Sequence, residues 1–160
     1  MTLERPPALS LTIESKMACV GPLAEKVRAA CLGLGLTDRA AGEVELSVVE
    51  AVNNAIEHAY QLADDHLVEV ALGCSTTLLQ VEVRDTGRQM PPETLARVRV
   101  PQVDPANLAA LPEGGMGLYV LTQLMDTVSY ESHAGTNVLT MERRIDRNER
   151  APPSTRHRTT

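Results

Sequence analysis

Five stretches of this chain alternate apolar and polar side chains, and three others repeat apolar positions every three to four residues. "ALSLTIES" (8–15), "HLVEVALGC" (66–74) and "TLLQVEVRD" (77–85) have the period of half-buried strands, and the short gap between the last two predicts a hairpin. "TVSYES" and "TNVLTMERR" predict a closing hairpin around "HAGT". Leu23, Val27, Ala30 and Cys31 keep helical spacing within 20–36, where Gly33 and Gly35 supply an end. Thr37 or Asp38 can cap a second helix that runs to about Tyr60. Pro91 and Pro92 fit the first turn of a short helix over about 92–99, and "MGLYVLTQLMDTV" (116–128) predicts another, opened by Gly117.

The remainder punctuates these elements. "VPQVDPANLAALPEGG" (100–115) has three prolines and little periodicity, and is expected to be a long mobile loop of the kind that carries function. Residues 1–7 are expected to be flexible, residues 8–146 to form one domain, and 147–160 to be a disordered basic tail. The order β-α-α-β-β-α-loop-α-β-β predicts an α+β fold: a two-layer α/β sandwich with a mainly antiparallel sheet and helices on one face.

Composition changes this picture in three places. Phe and Trp are absent, so the core must be built from Val, Leu, Ile, Ala and Met. From Arg143 onward six arginines face only Asp146 and Glu149, a surplus of four positive charges that leaves residues 1–142 at −10 against the chain's −6. An acidic body argues against nucleic acid as the main ligand. Cys19, Cys31 and Cys74 form no CxxC pair and are expected to be small buried residues in a reducing cytoplasm. No signal peptide or membrane span is read in the chain.

Three polar islands interrupt the apolar pattern. In "SVVEAVNNAIEHAY" (47–60), Glu43, Ser47, Glu50, Asn54, Glu57, His58 and Gln61 share one stripe of the helix, and Glu50 and Asn54 are one turn apart. Alone, the stripe reads as a solvated face. "RDTGRQM" (84–90) places Asp85 at the end of a strand and lets Gly87 make a close or φ-positive turn; alone it reads as a β-turn. "EGGMGL" (113–118) would free backbone N–H groups at a helix start to face a phosphate; alone it reads as a hinge. It matches neither a Walker loop nor a dinucleotide fingerprint.

In this order, with a late Gly135–Thr136, the islands resemble the nucleotide-binding fold of the GHKL ATPases, the Bergerat-type ATP-binding fold. The likeness is greatest to the small anti-sigma-factor serine/threonine kinases of the RsbW and SpoIIAB type. "EAVNNAIEHAY" resembles their N box and "EGGMGLYVLTQLMDTV" their second glycine box. The resemblance covers about residues 8 to 145. It implies that Glu50 is the general base and that Asn54 holds Mg²⁺. It also implies that Asp85 accepts from the adenine amino group, with Gly87 beside it, and that Thr136 completes that pocket. Gly115, Gly117 and Leu118 would line the phosphate side, and residues 100–114 would be a lid over ATP. Elementary chemistry agrees: Mg²⁺ takes hard oxygen ligands and keeps waters, and a carboxylate one turn away can take a proton from an attacking hydroxyl.

Two positions depart from the family pattern. Gln89 stands where many relatives have a second glycine, and Glu113–Gly114 stand where some have an arginine; Arg97 or Arg99 could substitute. The residues ahead of the N-box helix hold no histidine, so a free-standing module is expected rather than a histidine kinase. The resemblance implies a kinase that phosphorylates an anti-sigma factor antagonist of the STAS type and restrains a sigma factor, as a homodimer. Helix 20–35 and the first strand are candidate contact surfaces. The alternative is an ATP-binding partner-switching module without phosphoryl transfer, and a further one is an α+β domain with no nucleotide.

Overall fold

The computed structural model describes residues 6–98 and 116–152. Five strands form one sheet in the order β1-β2-β3-β5-β4, antiparallel throughout. They are β1 (Leu9–Glu14), β2 (Leu67–Cys74), β3 (Leu78–Asp85), β4 (Thr127–His133) and β5 (Thr136–Arg144). One face carries the helices α1 (Val20–Gly33), α2 (Asp38–Asn54) and α3 (Met116–Leu124). The core lies between the layers: Val44, Val48 and Val52 of α2 meet Val68, Val70, Val81, Val83 and Met141 of the sheet, all at most 2% exposed. Small β-branched side chains let α2 lie close on the sheet, which suits a core without Phe or Trp. The α+β sandwich read from the element order is the fold observed.

Local chemistry sets the boundaries. Gly35, at φ +85°, ends α1 in a Schellman motif, with Gly35 N–H bonded to the Leu32 carbonyl and Leu36 N–H to that of Cys31. The Thr37 hydroxyl, not Asp38, caps α2 by accepting from Ala40 N–H at 3.2 Å. Ala134 and Gly135, both at positive φ, make the two-residue turn of the β4–β5 hairpin. That turn sets His133 opposite Thr136.

Some expectations shift. The last predicted helix stops at Leu124, because Met125 turns into the core and Asp126 N–H already bonds the Glu142 carbonyl beside the new strand. Pro91–Val98 consists of hydrogen-bonded turns where a short helix was expected. Residues 147–152, expected to begin the disordered tail, are docked. Arg150 donates to the carbonyls of Leu34, Ser75 and Thr76, and Ala151 N–H bonds the Gly35 carbonyl. This strap ties the α1–α2 loop to the β2–β3 hairpin. Cys31 is buried, whereas Cys19 and Cys74 are half-buried; all three are free thiols. Burial, with Cys74 and Glu45 nearby, pushes the Cys31 thiol up to about 12, so it stays protonated and inert.

Candidate functional site

Directly after Asn54 the second helix widens into a π-helical turn, Ala55–Ala59, closed by Tyr60 N–H on the Ala55 carbonyl. Such turns often mark functional positions because they re-aim groups that a regular helix would point elsewhere. Here the turn delivers the Ala59 carbonyl to Arg88 N–H at 2.8 Å. A Cβ on Gly87 would stand 2.5 Å from that carbonyl oxygen, so only glycine lets the loop after β3 close on the helix. Close approach, not a positive φ, is what Gly87 supplies. Tyr60 bolts the same junction: its hydroxyl donates to the Leu67 carbonyl at 2.6 Å and accepts from Thr86 N–H at 2.8 Å.

This junction walls a cleft of about 450 Å³ whose lining includes Asn54, Glu57, His58, Asp85, Arg88, Gln89, Leu118 and Tyr130. A second hollow of about 210 Å³ continues from it along Asn54, Glu57, His58 and Leu118 to Glu50, Asn53, Met116 and Gly117. Glu50, Asn54, Asp85, Gly117 and Leu118, predicted from distant parts of the sequence, therefore border one continuous trough, with Gly87 packed behind it. Gly115, Gly114, Glu113, Arg99 and residues 100–114 lie outside the described residues. Arg97 is described but is not among the residues that line the trough.

The stripe on α2 splits on inspection. Ser47 is fully buried and its hydroxyl bonds the Glu43 carbonyl. Glu43 is drawn away to Arg143 and Arg39. Burial would raise its pKa, but hydrogen bonds from these two arginines lower it further than burial lifts it. The more C-terminal residues, Glu50, Asn54, Glu57, His58 and Gln61, are the ones that reach the trough.

At the β3 end, Asp85 is 9% exposed. Its Oδ1 accepts from Gly87 N–H at 2.9 Å and from Asn137 Nδ2 at 2.7 Å. Burial raises its pKa above the ordinary Asp value, and the Asn137 and Gly87 donors pull the other way. Asn137 is itself held: it donates to the Gly87 carbonyl at 3.1 Å and accepts from Ser132 Oγ at 2.7 Å. Ser132, Asn137 and Asp85 sit side by side on β4, β5 and β3. Thr136, expected in this place, is half-buried and is not among the residues lining the trough; the strand alternation turns Asn137 inward instead.

At the α3 end the arrangement is open. A Cβ on Gly117 would meet Glu50 Oε2 at 2.5 Å, so the missing side chain admits the carboxylate against the first turn of α3, where the helix dipole favours negative charge. Asn53 Oδ1 is buried without a hydrogen-bond partner. Among the described residues no hydrogen bond engages the side chains of Glu50 or Asn54, so both remain available to a ligand. No group of three His, Cys, Asp or Glu able to hold a metal occurs among the described residues. A cation here would share one amide oxygen with oxygens brought by its ligand, a coordination that Mg²⁺ accepts.

Sequence reasoning missed Tyr130, Ser132, Asn137 and Arg88. The signal for Asn137 was present, as a poor strand former between β-branched neighbours in "TNVLT". Arg88 lies inside the 84–90 island, and nothing local marked Tyr130 or Ser132.

An antiparallel sheet backed by one helical layer, with its cleft between the end of β3 and the helices, defines the GHKL class of α/β sandwich. The family model for the histidine kinase-like ATPase domain matches residues 13–143, and the chain belongs to that family. Membership of an ATPase-domain family implies ATP as the ligand. The chain is similar to the serine-protein kinase RsbW of Bacillus subtilis, at 30% identity over 105 residues, 66% of each chain. It is also similar to RsbW of Halalkalibacterium halodurans, at 25% over 149 residues, 93% of this chain and 90% of that one. At 30% identity the match spans just under two thirds of the relative's length. A crystal structure of the RsbU and RsbW domains of a Mycobacterium tuberculosis protein overlays with a TM-score of 0.59, 19% identity, and coverage of 92% of this chain and 35% of that one; it shares the fold.

Proposed function

We propose that this chain is an ATP- and Mg²⁺-dependent protein serine/threonine kinase that phosphorylates an anti-sigma factor antagonist of the STAS type and restrains a sigma factor in a partner-switching pathway. The observation that carries the reading is the trough in which Glu50 and Asn54, one turn apart on α2, share walls with Gly117 and, further along, with Asp85. When bound, ATP supplies the phosphoryl group and Mg²⁺ offsets its charge. The chain's own residues do the rest. Asn54 offers its amide oxygen to the cation. Glu50 takes the proton of the incoming serine hydroxyl. The first turn of α3, stripped of a Cβ at Gly117, turns N–H groups and a positive dipole end toward phosphate oxygens. Asp85 accepts from the adenine amine. The names of the RsbW relatives support kinase activity. The homodimer, the cytoplasmic setting and the identity of the partners belong to the same proposal, and the three free thiols suit a reducing compartment.

The decisive experiment mixes the protein with ATP, Mg²⁺ and a candidate antagonist and weighs the antagonist by mass spectrometry. A mass gain of one phosphate that disappears with Glu50→Ala and with Asn54→Ala supports the kinase. One observation favours the second reading, a partner switch that binds ATP without transfer: the arginine lining the trough, Arg88, stands beside Asp85 rather than beside Glu50. In that case Glu50→Ala would leave partner exchange intact and no phosphate would ever be gained.

A further inference from the structure

The row Ser132–Asn137–Asp85 does more than fill space. The Ser132 hydroxyl donates to Asn137 Oδ1, which settles the orientation of the amide and turns Nδ2 toward Asp85 and the Gly87 carbonyl. With Gly87 N–H added, Asp85 Oδ1 receives two donors. That bonding suits a carboxylate acting purely as acceptor, and among the described residues Oδ2 has no partner. Tyr130 lines the same cleft. Its hydroxyl oxygen accepts from Met90 N–H at 2.9 Å. A phenol that accepts through a lone pair still has its proton to give, and no described acceptor takes it. Burial pushes the Tyr130 phenol above its ordinary value, the Met90 N–H opposes this and the nearby Asp85 charge adds to it, so the group stays protonated as a donor.

The cleft wall therefore offers a carboxylate that only accepts and a phenol that has a proton to donate. We propose that Tyr130 is a specificity-determining residue: its hydroxyl donates to ring nitrogen N1 of a 6-aminopurine whose exocyclic amine donates to Asp85. An adenine edge presents this donor–acceptor pair. A guanine edge instead places a carbonyl oxygen against the Asp85 carboxylate, two acceptors with no proton between them. Buried groups left unpaired in this way are what make such a site reject the wrong partner. The inference rests on the nucleotide reading of the cleft and adds the means of base selection.

Replacing the ring nitrogen in the ligand separates this role from a merely structural one. Wild-type protein is titrated calorimetrically with ATP, with 1-deaza-ATP, in which N1 is a C–H, and with GTP; the titrations are repeated with Tyr130→Phe. The expected result is that wild type prefers ATP over 1-deaza-ATP on the order of tenfold, the worth of one neutral hydrogen bond. Tyr130→Phe should bind the two alike while GTP remains poor, because Asp85 is unchanged. Loss of the acceptor for Met90 N–H weakens all ligands together and cancels in the ratio. Equal binding of ATP and 1-deaza-ATP by wild type overturns the proposal and leaves the ATP reading standing. So does a Tyr130→Phe protein that keeps the preference. Should Tyr130→Phe fail to fold, Tyr130→Leu takes its place, and equal binding of the two nucleotides by wild type still overturns the proposal. Wild type that retains no nucleotide sinks both readings.

Discussion

The two ends of the trough are built on opposite plans. Around Asp85, polar groups are bonded to one another: Gly87 N–H and carbonyl, the Asn137 amide, the Ser132 hydroxyl, and beside them Tyr60 with Thr86 and Leu67, with Asp85 Oδ2 left open among the described residues. Around Glu50, side chains stand without partners among the described residues, and Asn53 holds a buried oxygen with no donor. The first end is preorganised, so a ligand entering it meets groups whose orientation has already been fixed during folding. The second end keeps its acceptors unspent for a ligand that arrives with its own charges. The difference teaches that the two ends of the trough are separately built here. The first is bolted to the sheet, and the second hangs between two helices.

The largest expected effect tests the open end. Glu50→Gln keeps the shape but cannot take a proton; transfer to an antagonist should fall by about 10²–10⁴-fold, with ATP affinity and melting temperature nearly unchanged. A parallel loss of binding would mean that the carboxylate holds the ligand instead. Gly87→Ala tests the closed end. Its Cβ would meet backbone, at 2.5 Å from the Ala59 oxygen and 2.6 Å from its carbon, so the junction must move. Chemical denaturation should show a loss of about 1–3 kcal/mol, with nucleotide binding falling alongside. Gly117→Ala places a Cβ equally close to Glu50, yet the obstacle there is the tip of a flexible side chain. Stability should hold or rise by up to about 1 kcal/mol from helix propensity, while transfer drops because the Glu50 carboxylate is displaced. If the two glycine variants behave alike, the contrast between the ends is lost.

Smaller effects should come from Asn137 and from pH. Asn137→Ala takes one donor from Asp85 and leaves Ser132 unpaired, which should cost about 1–2 kcal/mol in denaturation midpoints and weaken ATP more than GTP. Burial, the largest influence on Asp85, holds its folded pKa above 3.8, the ordinary value. Between those two pKa values the folded state binds more protons than the unfolded chain, so this group's contribution favours folding at lower pH and is lost as pH rises through the raised pKa. Glu43 has the opposite sign. Its folded pKa is lowered, so its stabilisation is present above its ordinary value and is lost as pH falls through the folded one. Stability against pH, measured for wild type and Asp85→Asn, should show the first contribution vanish in the variant and the second persist.

Much of this was legible beforehand. The strands were expected within a residue of where they lie, since alternation over six to nine positions has few readings. Glu50 with Asn54, Asp85 with Gly87, and Gly117 with Leu118 were each visible as polar or glycine-rich interruptions of an apolar pattern. What escaped was which neighbour faces inward. Thr136 was expected beside Asp85, and Asn137 stands there, because a shift of one residue along a strand moves every side chain to the other face. The extent of α3 escaped for a related reason: helical spacing continues into "MDTV", but the sheet claims Thr127 first.

Sequence alone determined the periods, a cap at Thr37 or Asp38, a glycine end at Gly33 or Gly35, a hairpin turn within "HAGT", and the presence of an acid and an amide one turn apart on a helix. These depend on residues within a few positions of one another. Only the tertiary structure decided that Asp85 would be held by Asn137, 52 residues away, and that Tyr130 would line the same cleft with its hydroxyl accepting from Met90 N–H. Hydrogen bonds across strands depend on register and on which face each strand buries, and those follow from packing the whole sheet against α2.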